Sequence, residues 1–256
     1  MGELKEKCAV GAVAANNDEV CAAGQLYHIL FALQHRGVEA SGITTMSDNG
    51  ELHEHRQPGM VRDVYDDEII QRLTGNLAIG HNRYSTNGSK YAHLQPVVAP
   101  DIEFSLATNG NLPLTDKLQT FLQRNGLRIR EQNDSEMQAL AVAQHIRGNH
   151  DLADAVELTA PLLRGSYSSV ALHDNTIVAF RDPKGIRPLE LGRTADGYVV
   201  ASETYGLDVV EAAHERSINP GELVIITKDG IESRQFAEGE EKLDIFEFVY
   251  FARPDS

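Results

Sequence analysis

Cysteine is scarce in this sequence: Cys8 and Cys21 are the only two. Two cysteines build neither a disulfide framework nor a four-ligand zinc site. The opening residues, MGELKEK, are charged and lack the ~7–15-residue apolar stretch of a secretory signal. No run elsewhere approaches the ~18 apolar residues that a membrane-spanning helix needs. Positive charge is also short, with 23 Lys and Arg against 38 Asp and Glu and a formal net charge of −15. That balance argues against a nucleic-acid or anionic-membrane surface, where basic patches supply the counterion-release term. Internal repeats and low-complexity linkers are missing too. A soluble, cytoplasmic protein is expected, with no nucleic-acid or membrane partner.

What is present is ordinary globular material. Of 256 residues, 41% are hydrophobic and 24% charged, enough for a proper core without staples. Residues 8–14 (CAVGAVA) form a small-residue apolar run that reads as a buried strand. A helix is expected over 19–35, with Ala22, Leu26, Ile29, Leu30 and Leu33 on one face and Cys21 in its core side. Short strands follow near 41–46, 77–81 and 104–108, and helices near 115–125 and 134–147. Asn133 and Glu136 have the spacing of a capping box. From about 165 the texture changes to short apolar runs (SYSSVALHD, NTIVAFRD, YVVASE, GELVIITKDG) at hairpin-like spacing. Stacked antiparallel sheets with helices outside are the expected architecture.

Five places could carry chemistry, and each has a plain structural reading beside the chemical one. Cys8 opens an apolar strand and reads either as a small core residue or as a nucleophile. The second reading needs the chain cut before it, so that a thiol of pKa ~8.5 lies beside a free α-amine of pKa ~8. That amine can take the thiol proton and return it to leaving ammonia, with no histidine required. Arg83, in GHNRYSTNG, is either a surface arginine or a planar fork for a carboxylate, with Thr86 offering a hydroxyl. Asn109 and Gly110, in TNGN, are either a hairpin turn or an amide and a backbone N–H aimed at an oxyanion. Asp134 either suits a helix start or receives a substrate ammonium. Arg36, in QHRG, is expected at a helix end on electrostatic grounds alone.

Taken together and in order, CAVGAV, LQHRGVEASGI, GHNRYSTNG, TNGNL and NDSE resemble the successive signatures of the class II glutamine amidotransferases. RDPKGIRPL, YVVASET and NPGELVII are similar to the amidophosphoribosyltransferase branch of that family. IFEFVYFARPDS at 245–256 resembles the junction leading into the family's phosphoribosyl-transfer domain. The resemblance implies an α+β fold, the four-layer α/β/β/α sandwich of two antiparallel sheets found in N-terminal-nucleophile hydrolases. It divides the chain into a propeptide at 1–7, an amidotransferase domain at 8–243, and the start of a junction at 244–256. Cys8 would be the nucleophile that converts glutamine to glutamate and ammonia, and Asn109 with the Gly110 N–H the oxyanion hole. Arg83 would bind the α-carboxylate and Asp134 the α-ammonium, with Thr86 in the same pocket and Arg36 supporting the substrate site. Residues 84–95 match a loop that closes over glutamine.

The chain departs from the family pattern at four positions. Ala9 stands where glycine is usual, and its β-carbon is expected to narrow the approach to the thiol. Thr108 replaces a common histidine before the Asn-Gly pair. Lys7 precedes the nucleophile where some relatives have an acidic residue. Asp244 stands where some place a cluster-ligating cysteine, so no iron–sulfur cluster is expected. No stretch offers a phosphoribosyl pyrophosphate site, so Mg2+ is expected only with a separate phosphoribosyltransferase domain or subunit, and no cofactor in this chain. Glutamine and that second unit are the expected partners, with homo-oligomerisation left open. The alternative is an unprocessed, non-catalytic glutamine-binding or regulatory subunit of the same pathway.

Overall fold

Thirteen strands and seven helices alternate through the computed structural model, which describes residues 8–17, 20–84, 93–127, 133–240 and 242. The chain enters through β1 (Ala9–Ala15) and α1 (Ala22–Ala32), followed by a 3-10 turn at Gln34–Arg36. Then come β2 (Ala40–Met46), β3 (Leu52–Pro58), α2 (Val61–Val64), α3 (Asp67–Arg72) and β4 (Leu77–Arg83). The middle holds β5 (Val97–Ala99), β6 (Phe104–Leu114), α4 (Asp116–Arg124), α5 (Asp134–Arg147) and α6 (Leu152–Thr159). The last part is β7 (Arg164–His173), β8 (Thr176–Arg181), β9 (Glu190–Thr194), β10 (Gly197–Ala201), α7 (Thr204–Asp208), β11 (Ala213–Ser217), β12 (Glu222–Thr227) and β13 (Gly230–Gln235).

The strands make two antiparallel sheets, ordered β11-β9-β10-β1-β4-β2-β3 and β13-β12-β8-β7-β6-β5. Each central strand is buried on both faces, which is why β1 and β4 read as continuous apolar runs rather than as alternating ones. The period of two still sorts the side chains. In β1, Ala9 and Val13 join the core beneath α1, whereas Val10, Ala12 and Ala14 face the other sheet. In β4, Ala78 faces α1 while Leu77 and Ile79 face between the sheets. In β6, Phe104 and Leu106 pack under α4–α6 and Ala107 faces inward. Three cores separated by two sheets give four layers, the sandwich that the resemblance implied. Ser105 Oγ donates to Thr44 Oγ1 at 3.2 Å and joins the sheets through a buried polar pair.

Several sequence expectations need correction. α1 begins at Ala22 rather than 19, because Cys21 is its N-cap: the Cys21 sulfur accepts the Gly24 N–H at 3.3 Å. Cys21 is therefore exposed, not core. The helical end expected at 35 is a 3-10 turn, and that tighter winding carries Arg36 inward to complete burial. Asn133 does cap α5, although it accepts from the Ser135 N–H, one residue short of the capping-box position. Strands β3, β5, β9, β11 and β13 and helices α2, α3, α6 and α7 had no counterpart in the sequence reading. The propeptide 1–7, most of the glutamine loop, Thr86 and the junction 244–256 lie outside the described residues.

Candidate active site

Strand alternation collects the chemistry at one end of the space between the sheets. The β1–β4 register pairs Ala9 with Asn82 and Val10 with His81, so Cys8 follows across from Arg83. By the parity already seen, Cys8, His81 and Arg83 all face the second sheet. Cys8 is partly buried, with its sulfur 4.0 Å from the Tyr84 carbonyl oxygen. Arg83 is 8% exposed and ends the interior strand β4, with Ala40 of β2 on its other side. The Ala9 methyl packs on the α1 side, away from the thiol. The expected narrowing of the approach to Cys8 is thus absent, and extended backbone makes glycine unnecessary there.

Behind Cys8 lies a buried ionic cluster. Arg36 donates its Nε–H to the Cys8 carbonyl oxygen at 2.9 Å and an Nη1–H to Glu203 at 2.6 Å. His35 Nε2 also meets the Glu203 carboxylate at 3.0 Å. Burial alone would raise the Glu203 pKa, but the His35 hydrogen bond and the charge and hydrogen bond of Arg36 outweigh it and hold it at about 2. Arg36 is fully buried and faces the Cys8 main chain.

His81 of β4 also faces inward, and it is 1% exposed. Burial, joined by the Arg83 charge, pushes its imidazole down to about 3, against an upward pull from the Thr108 backbone. Neither ring nitrogen has a partner of ordinary hydrogen-bond geometry.

The second sheet supplies Asn109 and Gly110, and not as a turn. Both lie inside the continuous strand β6, paired with Ser168 and Tyr167 of β7. Glycine is required at 110 because a β-carbon would lie 2.5 Å from the Ser166 carbonyl oxygen and 2.8 Å from the Tyr167 Cα. By parity the Asn109 side chain faces between the sheets. It is 1% exposed, and its Nδ2 has no hydrogen-bond partner.

The backbone of β6 is equally ordered. Thr108 N–H donates to Gln95 Oε1 at 2.8 Å, and Leu112 N–H to Asp134 Oδ2 at 2.9 Å. Successive N–H groups of a strand point to opposite edges, so the Gly110 N–H points to the same edge as those of Thr108 and Leu112. Among the described residues no strand pairs with that edge beyond Leu106. Asp134, the first residue of α5, also accepts the Ser135 N–H through Oδ1 at 2.8 Å. On the far side of the strand, Thr108 Oγ1 receives Ser169 Oγ at 2.8 Å, and Ser169 Oγ receives Gln138 at 3.1 Å.

The structure therefore gathers Cys8, Arg83 and Asn109 on facing sheets, sets Gly110 and Asp134 along one strand edge, and puts Arg36 against the Cys8 main chain. Sequence reasoning missed Glu203, His81 and Gln95. Glu203 and His81 lay inside quoted motifs, but a single acid or imidazole beside an apolar run carries no signal until its partner is known. Among the described residues, no group of three or more His, Cys, Asp or Glu could hold a metal ion.

Cys8, the buried Asn109 amide and the Gly110 N–H thus stand on two facing antiparallel sheets, the fold of the N-terminal-nucleophile hydrolases. A family model for the glutamine amidotransferase domain matches residues 81–208, and this chain belongs to that family. Its relatives are amidophosphoribosyltransferases. It is 40% identical over 260 residues to that of Synechococcus elongatus, covering 98% of this chain and 52% of the relative. It is 40% identical over 261 residues to that of Mycobacterium leprae, covering 98% and 46%. The solved glutamine phosphoribosylpyrophosphate amidotransferase from B. subtilis, complexed with ADP and GMP, superposes with a TM-score of 0.85 at 32% identity, covering 97% of this chain and 53% of that one. The chain spans about half the length of the relatives that it matches. It corresponds to their glutamine amidotransferase half.

Proposed function

We propose that this chain hydrolyses glutamine at Cys8 and supplies the ammonia to a phosphoribosyltransferase domain or subunit for phosphoribosylamine formation in purine synthesis. Removal of residues 1–7 frees the Cys8 amine. The thiol gives its proton to that amine while sulfur bonds to the glutamine side-chain carbonyl carbon. The oxygen becomes an anion held by Asn109 Nδ2 and the Gly110 N–H. Collapse breaks the C–N bond, the amine's proton goes to the leaving nitrogen, and ammonia departs. Water then attacks the thioester, again passing a proton through the amine, and glutamate leaves with the thiol restored.

The observation that carries this reading is the placement of Cys8 and Asn109 on facing sheets, with Asn109 Nδ2 buried and without a partner beside Gly110. Losing one such donor costs ~3–4 kcal/mol of barrier in comparable sites. His81 is consistent with the same assignment. An imidazole held near 3 is a poor base at neutral pH, in keeping with a proton carried by the cysteine's own nitrogen. Arg83 takes the α-carboxylate and Asp134 the α-ammonium, with Thr86 completing the pocket. Arg36 acts on the Cys8 carbonyl, so its support of the substrate site runs through the nucleophile.

The test is glutamine hydrolysis by material whose intact mass has been measured. A population starting at Cys8 that releases glutamate, with release lost in Cys8→Ala while glutamine still binds, is the expected result. A uniformly full-length chain that binds glutamine without hydrolysing it would favour the regulatory subunit instead.

A further inference from the structure

Strand β5 pairs with β6 through Val97–Leu106, Val98–Ser105 and Ala99–Phe104. Continued by two residues, that register sets Gln95 against Thr108. No main-chain ladder forms there; the Gln95 side chain takes its place. Its Oε1 accepts the Thr108 N–H at 2.8 Å and its Nε2 donates to the Thr108 carbonyl at 3.3 Å. One amide thus does what a neighbouring strand would do, at the residue preceding Asn109 and Gly110.

The glutamine is itself anchored to the opposite sheet. Its carbonyl oxygen lies so close over Gly42 of β2 that a β-carbon there would collide with it. On either side, Arg56 of β3 donates Nη1 to the carbonyls of Pro96 at 2.8 Å and Leu94 at 3.4 Å. Segment 94–96 therefore ties the sheet that carries Cys8 and Arg83 to the strand that carries the oxyanion donors. An edge strand left unpaired has loose backbone groups, whereas oxyanion donors act only when fixed ~2.7–3.1 Å from the developing charge.

We propose that Gln95 is a positioning residue, whose side-chain amide substitutes for a missing strand and fixes Asn109 and Gly110 relative to Cys8. This rests on the oxyanion assignment made above and deepens it. Gln95 touches no reacting atom; it acts through Thr108.

Gln95→Ala, Gln95→Glu and Asn109→Ala are compared with the unsubstituted protein, each in its processed form. Three readouts are taken: kcat for glutamine hydrolysis, the inhibition constant of glutamate, and the rate at which iodoacetamide alkylates Cys8. Alkylation needs the thiolate but no oxyanion hole, and glutamate reports the binding pocket. For Gln95→Ala we expect kcat to fall ~10–100-fold, with the other two readouts within ~2-fold. Gln95→Glu keeps the acceptor for the Thr108 N–H and loses the donor, so its kcat should lie between. It also decides the matter if the alanine variant fails to fold. A large kcat loss in Asn109→Ala with none in the Gln95 variants overturns the inference and leaves the oxyanion hole standing. Unchanged kcat in Asn109→Ala overturns both. Parallel loss of glutamate affinity and alkylation rate in Gln95→Ala would mean general disruption, and also sinks it.

Discussion

Arg36 Nη1 lies 2.6 Å from the Glu203 carboxylate, and both side chains are almost wholly removed from water. Charges of this kind lose much of their hydration, and they persist because each is fully engaged. Arg36 divides its fork between Glu203 and the Cys8 carbonyl, so the ion pair also fixes the main chain from which the Cys8 sulfur projects.

Removing the acid tests this arrangement through stability. Glu203→Gln leaves a buried guanidinium without its counter-charge and is expected to cost about 3–5 kcal/mol at neutral pH. The folded-state pKa of about 2 lies below the ordinary carboxylate value of ~4.3. The unfolded chain therefore takes up the proton first as pH falls. The stabilisation is complete above ~4.3 and drains as pH falls towards 2. Urea unfolding of both proteins between pH 7 and 3 should show the gap narrowing only below about pH 4.5. A gap of constant size throughout would place the cost elsewhere than in the ion pair.

His81 gives a second pH signature in a different window. Its folded-state value of about 3 stands below the unfolded ~6.5, so the folded protein resists protonation of this ring. The favourable contribution is whole above ~6.5 and is lost progressively as pH falls towards 3. At about pH 4.5 the loss should reach roughly 2–3 kcal/mol, since one pKa unit is worth ~1.4 kcal/mol. His81→Leu removes the titration and fills similar volume. Relative to it, the unsubstituted protein should lose stability steadily between pH 6.5 and 4.5 in denaturant titrations. Parallel curves for the two proteins would contradict a buried neutral imidazole.

Much of this site was legible as residue types, and little of it as geometry. Cys8, Arg83, Asn109, Gly110 and Asp134 stood out as candidates because they fall in motifs whose order along the chain resembles the family's. The Asn-Gly pair nevertheless reads locally as a turn, and only pairing with β7 makes it part of a strand. Cys21 looked like core because it falls between apolar residues, whereas its sulfur serves better as a helix cap. The missed strands β3 and β13 are largely polar, and pairing rather than composition holds them in their sheets. Glu203 and Gln95 act through residues 35–36 and 108. Contacts that distant in sequence leave no local pattern to read.

The carboxylate and ammonium assignments separate from the chemistry of the thiol through kinetics. Arg83→Lys exchanges a planar fork for a point charge, which cannot hold both carboxylate oxygens with the same geometry. Its KM for glutamine should rise by ~10-fold or more while kcat changes by less than ~3-fold. Asp134→Asn should also raise KM, since it removes the charge facing the α-ammonium. It differs in a second respect: Asp134 receives the Leu112 N–H at 2.9 Å on the strand that holds Gly110. An asparagine can keep one of its two backbone contacts but not the charge, so a modest fall in kcat should accompany the KM effect. Glutamate inhibition should weaken in both variants in step with KM. If Arg83→Lys instead lowers kcat at unchanged KM, Arg83 serves the reacting centre and the α-carboxylate must be held by another group.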